Sequence, residues 1–126
     1  MNDYNYLCNK VVIMANVIVN SEAKIGKCVI LNSSSVIEHE NIIEDFVHIS
    51  PNVSLAGNVT IDKFSHIGIG ATLIQGVKVL QNCIIGAGSV VINDIDSDLK
   101  VVGVPRLIHS KSRDNRLISP PTNLIA

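Results

Sequence analysis

The stretch Leu55-Ala56-Gly57-Asn58-Val59-Thr60-Ile61-Asp62-Lys63-Phe64-Ser65-His66-Ile67-Gly68-Ile69-Gly70-Ala71-Thr72-Leu73 carries a long aliphatic side chain at every sixth position: Leu55, Ile61, Ile67 and Leu73. Stepping by six in both directions extends the series from Leu7 through Ile13, Val19, Ile25, Leu31, Ile37, Ile43 and Ile49, and onward through Val79 and Ile85 to Val91. Every one of these anchors is Ile, Leu or Val, types that make up 44 of the 126 residues, so chance does not account for the run. Period six fits neither a helix face at 3.6 nor the alternation of a simple hairpin array. Hexapeptide periodicity is the mark of a parallel β-helix.

A second register repeats four residues after each anchor. Val11, Val17, Ala23, Val29, Ser35, Val47, Val53, Val59, Ser65, Ala71, Val77, Cys83, Ser89 and Ile95 are small or β-branched, and Asn41 alone departs from the pattern. The residue just before this one is Asn, Gly or Asp in Asn16, Asn52, Asn58, Gly70, Gly76, Asn82, Gly88 and Asp94, the types that take a left-handed backbone at low cost. Each hexad thus reads as a short strand and a sharp turn, with the anchor filling the interior and the small residue sitting near the corner. Three hexads close one triangular coil of 18 residues, so residues 7–96 supply about five coils stacked roughly 4.8 Å apart. The expected fold is all-β, a left-handed parallel β-helix over residues 1–108 with a polar C-terminal tail over 109–126. The 18-residue step places Phe46 on Phe64, His39 on Gly57, and His48 on His66.

Composition narrows the function. A formal net charge of −1 offers no attraction for nucleic acid or an anionic membrane, and both are excluded as partners. No apolar run reaches the length of a membrane span and no signal pattern opens the chain, which reads as soluble and cytoplasmic. Cys8, Cys28 and Cys83 form no CxxC pair and read as small apolar fillers. The basic residues gather late, with Lys100, Arg106, Lys111, Arg113 and Arg116 all in the final stretch.

Several motifs resemble one group of hexapeptide acyltransferases: Val36-Ile37-Glu38-His39-Glu40, Val47-His48-Ile49-Ser50-Pro51, Leu55-Ala56-Gly57-Asn58-Val59-Thr60, Ile85-Gly86-Ala87-Gly88-Ser89-Val90-Val91 and Val102-Gly103-Val104-Pro105-Arg106. The group comprises the bacterial sialic acid O-acetyltransferases and the N-acetyltransferases of nucleotide-linked 4-amino sugars, and the likeness covers residues 11–108. It implies a homotrimer with acetyl-CoA in the groove between neighbouring helices. It also implies a general-base role for His39, a basicity-raising role for Glu40, and acetyl-CoA contacts at His48 and at the backbone of Gly57, Ile69 and Ala87. Members of the group usually carry an N-terminal α/β domain for the sugar nucleotide, whereas this chain begins almost directly with the repeat.

The residues themselves are compatible with that chemistry. Acetyl transfer needs a base near neutral pH, and an imidazole beside a carboxylate supplies one. The plain alternatives are a surface histidine at 39, a solvated carboxylate at 40 and ordinary turn glycines at 57, 68, 70, 86 and 88. Arg106 is the basic residue best placed for the CoA phosphates, the rest of the tail being read as solvated. The thioester is already activated, so no metal is implied, and no histidines are spaced as a zinc cluster would require. Three classes therefore stand: an acetyl-CoA-dependent sugar acetyltransferase of surface-glycan synthesis, a non-catalytic trimeric module, and, last, a zinc lyase.

Overall fold

A hexad leaves room for a strand of only two residues before the chain must turn, and the structure is that unit repeated. The computed structural model describes residues 10–103 and the backbone of 107–111. Its strands are β1 (Val12–Ile13), β2 (Ile18–Val19), β3 (Lys24–Ile25), β4 (Ile30–Leu31), β5 (Val36–Ile37) and β6 (Ile42–Ile43). They continue as β7 (His48–Ile49), β8 (Ser54–Leu55), β9 (Thr60–Ile61), β10 (His66–Ile67), β11 (Thr72–Leu73) and β12 (Lys78–Val79). The last four are β13 (Ile84–Ile85), β14 (Val90–Val91), β15 (Leu99–Val102) and β16 (Leu107–Lys111).

Successive strands fall on three different faces, and each face is a parallel sheet made of every third strand. The first face runs β1-β4-β7-β10-β13-β15, the second β2-β5-β8-β11-β14 and the third β3-β6-β9-β12. Partners lie one coil apart, as in Ile30 with His48 and His48 with His66. Only the last coil differs: Ile84 pairs with Lys100 and Ile85 with Val101, two residues short of the usual step. The two residues are lost between Val91, still eighteen from Leu73, and Ile95, which already bridges Val79; the register therefore slips ahead of Ser97–Lys100, where the sequence pattern placed the break, and Ile95 takes the buried place of an anchor. β16 then turns back antiparallel to β15, and it runs across position 108, at which the repeat reading ended the helix domain. The tail beyond Lys111, like Leu7, lies outside the described residues.

The anchors form the core. From Leu31 to Val91 each is at most 1% exposed, and the small residues Val29, Ser35, Val47, Val53, Val59, Ser65, Ala71 and Ser89 are buried with them. Each buried aliphatic side chain contributes about 1.5–3 kcal/mol, so stability accumulates coil by coil. At the N-terminal end Ile13 (56%) and Val19 (41%) remain exposed, because among the described residues no coil lies beneath them.

The corners show that coil geometry overrides residue preference. Asn16, Asn52, Asn58, Gly70, Gly76, Asn82 and Gly88 take positive φ as their types suggest, but so do Glu22, Cys28, Ser34, Glu40, Phe46 and Phe64, at 57° to 64°. Asp94 does not; Asp98, in the shortened coil, does instead. A left-handed non-glycine residue costs roughly 1–2 kcal/mol. Stacking offsets it: from Cys28 onward the N–H of each such residue donates to a carbonyl of the coil before, as Glu40 does to Ser21 (3.1 Å) and Asn58 to His39 (2.9 Å). Phe46 and Phe64 add an offset ring stack, with centroids 5.1 Å apart and planes 11° from parallel.

Since Ile61 is fully buried between two neighbouring anchors of its own column, Ile61→Ala should lower the unfolding free energy by about 2–5 kcal/mol in a denaturant titration.

Candidate functional site

The second face presents Val36, Ser54 and Thr72 outward between two columns of turns. One column precedes the strands and holds Ile69 and Ala87; the other follows them and holds His39, Gly57 and Gln75. A cleft of about 520 Å³ lies on this face, lined by Val36, His39, Ser54, Gly57, Thr72 and Gln75 among others.

His39 sits in the turn after β5, and its ring is oriented from two sides. Its Nδ1 lies 3.3 Å from Glu40 Oε1 although the two residues are adjacent. The left-handed backbone of Glu40 (φ 60°) turns its side chain back toward the imidazole, which an extended pair could not do. Both side chains are more than half exposed, 53% and 62%, so the contact orients the ring without adding much stability. With the proton on Nδ1 donated to Glu40, the lone pair is left on Nε2.

Gly57 lies one coil along, directly against the ring. A Cβ there would stand 2.5 Å from both Cε1 and Nε2 of His39, closer than real carbon contacts allow. The glycine is therefore required by the histidine's close approach, with an ordinary negative φ.

The free backbone donors define what the turns can bind. At three other corners the equivalent N–H is closed off by a side chain: Asp45 Oδ1 accepts from Lys27, Asn32 Oδ1 from Ser33 and Asp62 Oδ1 from Lys63. The N–H groups of Gly57, Ile69 and Ala87 donate to no group among the described residues. The carbonyls of Gly57 and Ile69 are already used, accepting from Gly76 (3.1 Å) and Gly88 (2.7 Å). A ligand meeting these turns must bring acceptors, as amide and thioester carbonyls do.

His48 is not part of this cluster within one protomer. It projects from the first face, half-buried, with the whole third-face strand β6 intervening in the chain between it and His39. Its ring stacks on His66 with centroids 4.6 Å apart, and its Nε2 is buried without a hydrogen-bond partner. His66, by contrast, is exposed and pairs its Nε2 with Ser50 Oγ at 3.0 Å. Burial first, and then the neighbouring His66, hold the His48 imidazole below its usual 6.5. Among the described residues no group of three metal-binding side chains occurs. Arg106 lies outside them.

One residue of the site was visible in the sequence without being assigned a role. Asn41, the exception among the small corner residues, is fully buried, and its Nδ2 donates to the carbonyls of His39 (3.2 Å) and Ala56 (2.9 Å).

The His48 shift has a sign that can be tested. An unfolded His48 binds its proton near the usual value and the folded one only at lower pH, so the unfolded chain is favoured as pH falls below about 6.5 and the full stability is present above it. Urea midpoints should therefore decline from pH 7.5 to 5, and His48→Gln should flatten that decline.

No protein-family model matches the chain. A serine acetyltransferase from Buchnera aphidicola is 33% identical, the alignment covering 90% of this chain and 46% of that protein. The acetyltransferase domain of PglB from Neisseria gonorrhoeae, solved with acetyl coenzyme A, matches at 35% identity and a TM-score of 0.76, covering 78% of this chain and 48% of that one. The GDP-perosamine N-acetyltransferase of Caulobacter crescentus, solved with CoA and GDP-perosamine as a variant lacking one histidine, matches at 31% identity and a TM-score of 0.74 over 78% of this chain and 50% of that one. The chain spans about half the length of the relatives it matches.

Proposed function

Taking the chain as a hexapeptide-repeat acyltransferase, the family that its sequence and its left-handed β-helix support, we propose that it transfers acetyl from acetyl-CoA to an amine or hydroxyl of a nucleotide-linked sugar or sialic acid in bacterial surface-glycan synthesis. The observation that carries this reading is the His39 imidazole, set across Gly57 with Nδ1 on Glu40 and Nε2 free toward the cleft. Nε2 takes the proton of the acceptor as its nitrogen or oxygen attacks the thioester carbonyl carbon. The carbonyl oxygen gains charge and accepts from the Gly57 N–H; the C–S bond then breaks and the CoA thiolate leaves, recovering a proton. No covalent enzyme intermediate is needed. A positioned base contributes about 10²–10⁴-fold, and one oxyanion donor about 10²–10³-fold.

The separation of His39 from His48 supports a homotrimer. In one prism they occupy different faces, but a groove between two prisms would set the His39 corner of one beside the first face of its neighbour. Acetyl-CoA lying there would meet His48 and the N–H groups of Gly57, Ile69 and Ala87, with Arg106 offered to its phosphates. A sugar acceptor is favoured by the GDP-perosamine bound to a structural neighbour. A serine hydroxyl is the second reading, favoured by the serine acetyltransferases among the relatives.

The test is thioester consumption across nucleotide-linked amino sugars, sialic acid and serine. His39→Ala should reduce turnover by about 10²–10⁴-fold while calorimetric acetyl-CoA binding and a trimeric sedimentation coefficient persist. Equal turnover in the variant would overturn the role of His39, and none in the parent chain with any acceptor would favour a non-catalytic module.

A further inference from the structure

The buried amide of Asn41 does more than fill a corner. At this position four residues past the anchor, the other interior residues of the same column are Ala23, Val59 and Val77, none of which can donate from its side chain. In four other turns the carbonyl that opens the turn is met by a main-chain N–H three residues on: Asn32 by Ser35, Gly68 by Ala71, Ile74 by Val77 and Gly86 by Ser89. Ala56 opens the Gly57 turn, and its carbonyl is met instead from inside the prism by Asn41 Nδ2 at 2.9 Å.

That substitution has a geometric consequence. In a trans peptide the C=O and the following N–H point in opposite directions. Drawing the Ala56 carbonyl inward turns the Gly57 N–H outward, on the side where the His39 ring lies against Gly57. The same amide also donates to the His39 carbonyl at 3.2 Å, which the Asn58 N–H reaches at 2.9 Å. One buried group thus ties the main chain of the base to the peptide carrying the donor. Its Oδ1 is buried without a partner, a cost of about 1–3 kcal/mol that an apolar residue would avoid. Stability alone does not explain an asparagine here.

We propose that Asn41 is a positioning residue, which aims the Gly57 N–H at the developing oxyanion and holds it in register with the His39 imidazole. The inference rests on the acetyltransferase reading above and adds to it a residue that touches neither substrate.

Two variants separate this role from packing. Val occupies the equivalent position in several hexads (Val47, Val53, Val59), so Asn41→Val should fold. Ser65, at the equivalent position of another corner, donates its Oγ to the carbonyl of Leu80 fifteen residues on at 3.0 Å, the same relation as Asn41 to Ala56. Asn41→Ser should therefore restore the inward bond. With whichever acceptor the parent chain turns over, N41V is expected to lower kcat by about 10–100-fold, less than outright loss of an oxyanion donor, with KM for acetyl-CoA within about threefold and the His39 limb of the pH profile unmoved. N41S should recover most of kcat. In nitrogen-15 spectra the Gly57 amide should shift on adding acetyl-CoA in the parent and N41S, and not in N41V. Unchanged kcat and an unchanged Gly57 shift in N41V overturn the role while leaving the acetyltransferase reading intact. A parent chain that neither turns over nor shows the Gly57 shift overturns that reading, and this inference with it.

Discussion

Everything in this molecule depends on the backbone closing a three-sided turn every eighteen residues, so that each strand meets its parallel partner one coil away. The constraint is satisfied by main-chain hydrogen bonding between coils and by three columns of aliphatic anchors, one from each face, meeting along the axis. Both are repetitive and cumulative, and neither needs large aromatic side chains, which explains how a chain with no Trp and two Phe builds a continuous core. The same constraint forces Glu40, Phe46 and Phe64 into a left-handed conformation that their chemistry disfavours. The coil decides, and the residue accepts the strain.

That strain is put to use at one corner. The left-handed turn at Glu40 lets a carboxylate reach the ring of the residue just before it, a contact that extended neighbours could not make. The vertical stacking then brings Gly57 beneath the ring, where the missing side chain leaves room for it. An imidazole, its orienting carboxylate and a free backbone donor are brought together from two turns separated by a full circuit of the prism. The interior contributes as well, since the polar group of Asn41 reaches both turns from within.

The face carrying this corner is bordered on its other side by Ile69 and Ala87, whose N–H groups are likewise free among the described residues, while the third-face corners at Lys27 and Lys63 have theirs closed by aspartates. The same repeated N–H is thus capped at some corners and open at others although the backbone is nearly uniform. His48, on the adjacent face, belongs to a different environment, stacked and partly desolvated.

The period of six determined, without coordinates, the three-sided coil, the identity of the core anchors and the columns that place Phe46 on Phe64, His48 on His66 and His39 beside Gly57, because a strict repeat converts sequence distance directly into position. Asn41 stood out in that pattern, but its role did not, since nothing local shows which carbonyls a buried amide will meet. Only the tertiary structure decided that Glu and Phe would occupy left-handed turns, that the last coil would run two residues short, that β16 would fold back on β15, and which backbone donors would stay open. Those outcomes depend on contacts between coils, whose strength outweighs the preferences of single residues.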